Sequence, residues 1–166
     1  SINYTVSLDD ATNQDVAVRF IPSGSASSSS DYTINTSTAG ISTQGGKYYV
    51  TIPAGSTSRT ITVNIKEDSK DEPSEYVTLE LSSPTGGASI VYPSSDTTTI
   101  ADDDSPPTVS FTTSDFPINE NNTSKQAISV KLSTASAYDV YVRPGFVLDG
   151  VAAYLNTDFK VKGLDS

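Results

Sequence analysis

No cysteine, histidine, methionine or tryptophan occurs among the 166 residues. The lack of cysteine removes disulfides, thiolate metal sites and thiol nucleophiles together, and is compatible with either redox compartment. The lack of histidine removes the commonest zinc ligand and the commonest general base. Oxygen ligands are what remain. Positive charge is scarce as well: 10 basic residues face 20 acidic ones, for a net charge of -10. Such a chain repels phosphate backbones and anionic headgroups, which excludes nucleic acid as a partner and favours a divalent cation. Long hydrophobic runs are missing too. No stretch approaches the ~20 apolar residues of a membrane span, and the start, Ser1-Ile2-Asn3-Tyr4, has neither a basic region nor an apolar signal core, so no direct membrane insertion is expected. Without Met, the chain is expected to be a processed product or an excised piece, whose ends need not be domain boundaries.

What is present is short-range alternation of apolar and polar residues. It recurs at Val16, Val18 and Phe20; at Tyr48, Val50 and Ile52; at Ile61, Val63 and Ile65; at Val77, Leu79 and Leu81; and at Ile128, Val130 and Leu132. A period of two over short runs predicts half-buried antiparallel strands. Turn formers separate them, including Pro22-Ser23-Gly24, Gly45-Gly46, Pro53-Ala54-Gly55 and Pro84-Thr85-Gly86-Gly87. No helix is expected. The fold class is all-β, a two-sheet sandwich with a thin core of Val, Ile, Leu, Phe and Tyr.

An internal repeat sets the organisation. Residues Thr5 to Arg19 read against Ser129 to Arg143, sharing Val, Leu, Ala, Asp-Val, Val and Arg positions, and Ser30-Asp31-Tyr32 reads against Thr157-Asp158-Phe159. The unit returns after roughly 125 residues, a domain-sized period rather than a solenoid one. The boundary falls at Ala101-Asp102-Asp103-Asp104-Ser105-Pro106-Pro107, where a Pro pair ends β pairing and stiffens the junction. Residues 1–104 are therefore expected to be a sandwich lacking its first strand, and 105–166 the start of a second repeat.

Four acidic groups stand at strand ends or in loops of the first copy: Asp31, the pair Glu67-Asp68, Glu72 with Glu75, and the run Asp102-Asp103-Asp104. Loops at one end of an antiparallel sandwich converge although they are distant in sequence. Carboxylates brought together repel unless a cation sits between them, and Ca2+ takes roughly 6 to 8 oxygens. On spacing alone, a calcium site and a set of solvated acidic loops both stand.

The segment Ile65-Lys66-Glu67-Asp68-Ser69-Lys70-Asp71-Glu72-Pro73-Ser74-Glu75-Tyr76-Val77-Thr78-Leu79 resembles the signature of the Calx-beta family. Ile52-Pro53-Ala54-Gly55 is similar to that family's turn before a strand, Asp31-Tyr32 to its Asp-aromatic element, and Thr99 to Asp104 to its closing acidic run. The resemblance covers almost all of residues 1–104 in the same order. It implies a Greek-key, immunoglobulin-like β-sandwich that binds Ca2+ at one end through Asp31, Glu67, Asp68, Glu72, Glu75, Asp102, Asp103 and Asp104. In the second copy, Glu120 and Asp158 match the family's first-strand Glu and its Asp-aromatic element, as ligands of that repeat or of a donated strand. Three departures matter: Glu67 replaces the more usual Asp, Lys70 places a cation nearby, and the first-strand Glu of copy one is not in the chain.

The function expected from this is a calcium-binding spacer or adhesion repeat of a large secreted or cell-surface protein, stiffened by Ca2+ at the junction between repeats. Its partners would be neighbouring repeats or like subunits, with a cell-surface or glycan target as a further partner. Two alternatives share the same site. One is a regulatory calcium sensor of a membrane transporter, since the family also occurs in the cytoplasmic part of sodium/calcium exchangers. The other is a filament subunit completed by β-strand addition, with residues 108–120 as the spare strand. An enzyme is not expected: Glu72 and Glu75 resemble a glycosidase pair only in type, and no Trp platform accompanies them.

Overall fold

A computed structural model describes residues 1–112, 119, 121, 127–143 and 145. The alternating segments form strands β1 (Ile2–Ser7), β2 (Val16–Gly24), β3 (Tyr32–Ile34), β4 (Ile41–Gln44), β5 (Lys47–Ile52), β6 (Ser58–Ile65), β7 (Glu75–Ser82), β8 (Ser95–Ile100), β9 (Val109–Phe111) and β10 (Val130–Leu132). Among the described residues there is no helix, and so none long and apolar enough to cross a membrane.

Period-two patterning turns one side of each strand inward. Val16, Val18 and Phe20 of β2, Val50 and Ile52 of β5, Ile61 and Val63 of β6, and Val77 and Leu79 of β7 are buried together with Tyr4 and Val6 of β1. Each large side chain so buried stabilises the fold by about 1.5–3 kcal/mol. The strands lie in a three-stranded sheet, β1-β6-β3, and a five-stranded sheet, β4-β5-β2-β7-β8, all antiparallel. The chain changes sheet from β1 to β2, β2 to β3, β3 to β4, β5 to β6 and β6 to β7, the crossing path of a Greek-key sandwich. Tyr4 Oη donates a 3.1 Å hydrogen bond to the Val77 carbonyl, tying one sheet to the other inside the core.

Beyond the acidic run, β9 pairs antiparallel with β10, so residues 109–111, expected to open a second copy, are engaged within the chain itself. Half-burial fails at the alternating set Ile128, Val130 and Leu132. These side chains are 66%, 49% and 38% exposed, because among the described residues no second sheet packs over the hairpin. Glu120 and Asp158 lie outside the described residues.

Registers place four chain segments at one end of the first sandwich. Tyr32 at the start of β3 pairs with Ile65 at the end of β6. Glu75 at the start of β7 pairs with Ile100 at the end of β8.

Candidate metal centre

Each acidic residue reaches this end for a local reason. Asp31 precedes β3, and its carbonyl accepts the Lys66 amide at 2.9 Å, which holds the Asp31 turn against the exit of β6. Glu75 opens β7 by pairing with Ile100, so the chain leaving β8 runs past it into the acidic linker. There the Asp102 amide donates to Ser74 Oγ at 3.3 Å. Glu67, Asp68 and Glu72 sit on the irregular β6–β7 loop, whose turn is closed by Asp68 Oδ1 accepting the Lys70 amide at 2.8 Å.

All eight acidic residues singled out in residues 1–104 line one cleft, together with Lys66, Lys70, Pro73 and Ile100. Three of them draw close: Asp31, Glu72 and Glu75 each present a carboxylate oxygen within 4.8 Å of the others. Glu67, Asp68, Asp102, Asp103 and Asp104 flank this trio without joining it. Asp31 and Glu75 are placed by strand ends, Tyr32 pairing with Ile65 and Glu75 with Ile100, whereas Glu72 reaches them from the same β6–β7 loop that carries Glu67 and Asp68. Oxygens bound at about 2.3–2.6 Å to one Ca2+ stand at most ~5 Å apart, so the spacing of the trio suits that ion. The donor set suits it as well: it is all oxygen, hard and anionic.

The charges already interact. Lys70 Nζ lies 2.7 Å from Glu72 Oε2, and this hydrogen bond, with the Glu72 charge, raises the Lys70 pKa. Desolvation pushes the Glu75 carboxyl above its ordinary value of 4.5, helped by a hydrogen bond with Asp31 and by the charges of Asp31 and Glu72. Desolvation acts on Asp31 in the same direction but loses. Hydrogen bonds from Ser30, the Ser27 amide and Glu75 hold that carboxyl below its ordinary 3.8. Asp104 is raised by desolvation and then by Asp102, Asp103, Asp68 and Glu67, so the linker senses the β6–β7 loop across the cleft.

These directions fix a pH dependence for the cation-free chain. Glu75 and Asp104 bind protons more tightly when folded, so their contribution is fully present at acid pH and is lost as pH rises through their elevated folded pKa values. Asp31 does the reverse: its contribution is present above the ordinary Asp value and is lost as pH falls through its depressed folded pKa. In EDTA, urea midpoints measured from about pH 4 to about pH 6 are expected to fall for wild type relative to Glu75→Gln. Parallel curves for the two chains would show that Glu75 carries no raised pKa.

The Ser27 amide donates to Asp31 Oδ2, which holds the Asp31 carboxylate against its own loop. Only the short Ser27–Asp31 spacing could have signalled this, as an Asp side chain turning back onto its own loop.

The Calx-beta domain profile matches residues 3–104. No curated protein sequence matches the chain. Among solved structures, CBD12 from CALX1.2 is similar at 23% identity and a TM-score of 0.51, covering 72% of this chain and 44% of that one. The calcium binding domain CBD12 of CALX1.1 gives the same figures: 23% identity, a TM-score of 0.51, and coverage of 72% and 44%. The chain thus spans less than half the length of these structures, and at this identity the likeness is one of fold.

Proposed function

Because the chain belongs to the Calx-beta domain family, we propose that residues 1–104 form a calcium-binding module that works by holding neighbouring repeats in a fixed relation rather than by catalysis. The observation that carries this is the meeting of Asp31, Glu72 and Glu75, delivered by three separate segments to one end of the sandwich. When bound, the ion supplies the positive charge that these mutually repelling groups lack. Asp31, Glu72 and Glu75 would form the inner set, with Glu67, Asp68 and Asp102 to Asp104 available from the rim. The acidic linker leads directly into the second copy, so the ligand set and the junction between repeats share residues. A Ser- and Thr-rich, Cys-free, acidic chain suits a secreted or surface-exposed array, where calcium is millimolar and module affinities are about 10⁻⁴ to 10⁻³ M.

A regulatory sensor uses the same site at higher affinity, about 10⁻⁷ to 10⁻⁵ M. The crowding of eight carboxylates around one cleft favours it, because affinity rises with ligand charge. Calorimetric titration with calcium separates the two by Kd. An absence of binding heat up to several millimolar calcium would exclude both.

Lys70 gives a directional check. Its ammonium occupies Glu72 and adds like charge beside the cation position. Lys70→Gln is expected to strengthen calcium binding about threefold to tenfold, with the gain shrinking at high salt as exposed charges are screened. Weaker binding in the variant would mean that Lys70 instead positions Glu72 for the ion.

A further inference from the structure

Asp71 is the one buried charged residue of the described chain, 9% exposed, yet it stands apart from the acidic trio. It points at the second copy. Ser136 Oγ donates a 3.0 Å hydrogen bond to Asp71 Oδ2, and the Ala137 amide donates a 2.8 Å hydrogen bond to the Asp71 carbonyl, making an isolated parallel bridge between Asp71 and Ser136. The Ser136 hydroxyl is aimed by its own turn, because it also accepts the Tyr138 amide at 3.1 Å. The same turn is fastened to the end of the linker. The Ser133 amide donates to the Thr108 carbonyl at 2.9 Å, and the Thr108 amide donates to Ser133 Oγ at 2.9 Å. Two struts therefore join the copies, the acidic linker and the Asp71 contact, and both start at the candidate metal centre.

From this arrangement we infer that Asp71 is a positioning residue that latches the Ser133–Tyr138 turn of the second repeat onto the β6–β7 loop, so that filling of the calcium site and seating of the second repeat reinforce each other. The inference rests on the calcium-binding role proposed for that site. The physical link is one peptide unit. The Asp71 carbonyl and the Glu72 amide nitrogen belong to the same rigid plane, so a Glu72 held in the trio fixes the direction of the acceptor that Ala137 uses. A loop without strand pairing on either side of that plane is free to rotate it when Glu72 is not held. By linkage, whatever calcium adds to seating, seating adds to calcium affinity.

The test uses the whole 166-residue chain with calcium as the only ligand, in wild type and in variants of the second repeat, which leave every proposed ligand untouched. Ser136→Ala removes the hydroxyl donor, Ala137→Pro removes the amide donor, and Ser136→Thr retains the hydroxyl. Expected are slower hydrogen exchange at the Ala137 amide on adding calcium, calcium binding weakened about twofold to tenfold by Ser136→Ala and by Ala137→Pro, and near wild-type affinity in Ser136→Thr. If calcium binds wild type with measurable heat while Ala137 exchange and the Kd of every variant stay unchanged, the latch is overturned and the calcium-binding role stands. If no chain gives binding heat, the calcium-binding role falls, and the coupling with it.

Discussion

Addition of calcium at a hundredfold excess over Kd is expected to raise the thermal midpoint of this chain by about 10 °C over its value in EDTA. An ion that binds only the folded state at that excess stabilises by about 2.7 kcal/mol, and a domain of roughly 100 residues gains about 4 °C for each kcal/mol. The response should be graded by geometry. Asp31→Asn and Glu72→Gln each remove a member of the converged trio and are expected to abolish most of it, whereas Asp103→Ala, on the linker, removes less. Asp9→Ala and Asp10→Ala lie in the β1–β2 loop. Ser7 pairs with Ser58 at the start of β6, which puts that loop at the opposite end of the sandwich, and these changes should leave the response intact. Glu75→Gln carries a sign that a generic loss of charge does not. It removes the calcium response but raises the midpoint in EDTA at neutral pH, because the Glu75 charge is disfavoured by desolvation and by Asp31. Equal midpoints of wild type in EDTA and in millimolar calcium would remove the basis for the site.

Gly24→Ala is expected to cost about 2–4 kcal/mol of stability and to weaken calcium binding tenfold or more, although Gly24 offers no ligand. Gly24 closes the β2–β7 ladder opposite Val77 with φ at +134°, and a Cβ there would stand 2.0 Å from the Tyr76 carbonyl oxygen. Backbone meets backbone at that point, so no side chain can swing aside. The residues that follow grip the same spot: the Ala26 amide donates to the Tyr76 carbonyl at 3.2 Å and the Tyr76 amide donates to Ser25 Oγ at 3.1 Å. Forcing β2 away from Tyr76 therefore moves the residue before it, Glu75, out of the trio. Gly55→Ala is the control. Its φ is +77° but an added Cβ meets nothing within 4 Å, so only the local strain of about 1–2 kcal/mol applies and calcium binding is untouched. Equal loss of calcium binding in both variants would mean that Gly24 acts through overall stability and not through the position of Glu75.

The sequence by itself determined the sandwich, its inward faces and the chemistry of its ligands. Alternation is local: with side chains thrown to opposite faces at every residue, Val16, Val18 and Phe20 can only share one side, and the structure buries all three. A chain without Cys or His can offer a metal little but oxygen, so the donor type was legible before any fold was known. Which oxygens meet was not legible. Asp31 and Glu75 come together because β3 pairs with β6 and β7 with β8 in particular registers, and Glu72 joins them only through the path of an unpaired loop. Spacing along the chain carries no information about such closure. Adjacent in sequence, Lys70, Asp71 and Glu72 end in three different roles: one pairs with a carboxylate, one accepts from Ser136 and one faces the cleft. Likewise Ile128, Val130 and Leu132 show the same alternation as the core strands yet remain exposed. Alternation states which side of a strand is apolar, but burial requires a second surface, and only the tertiary structure supplies one.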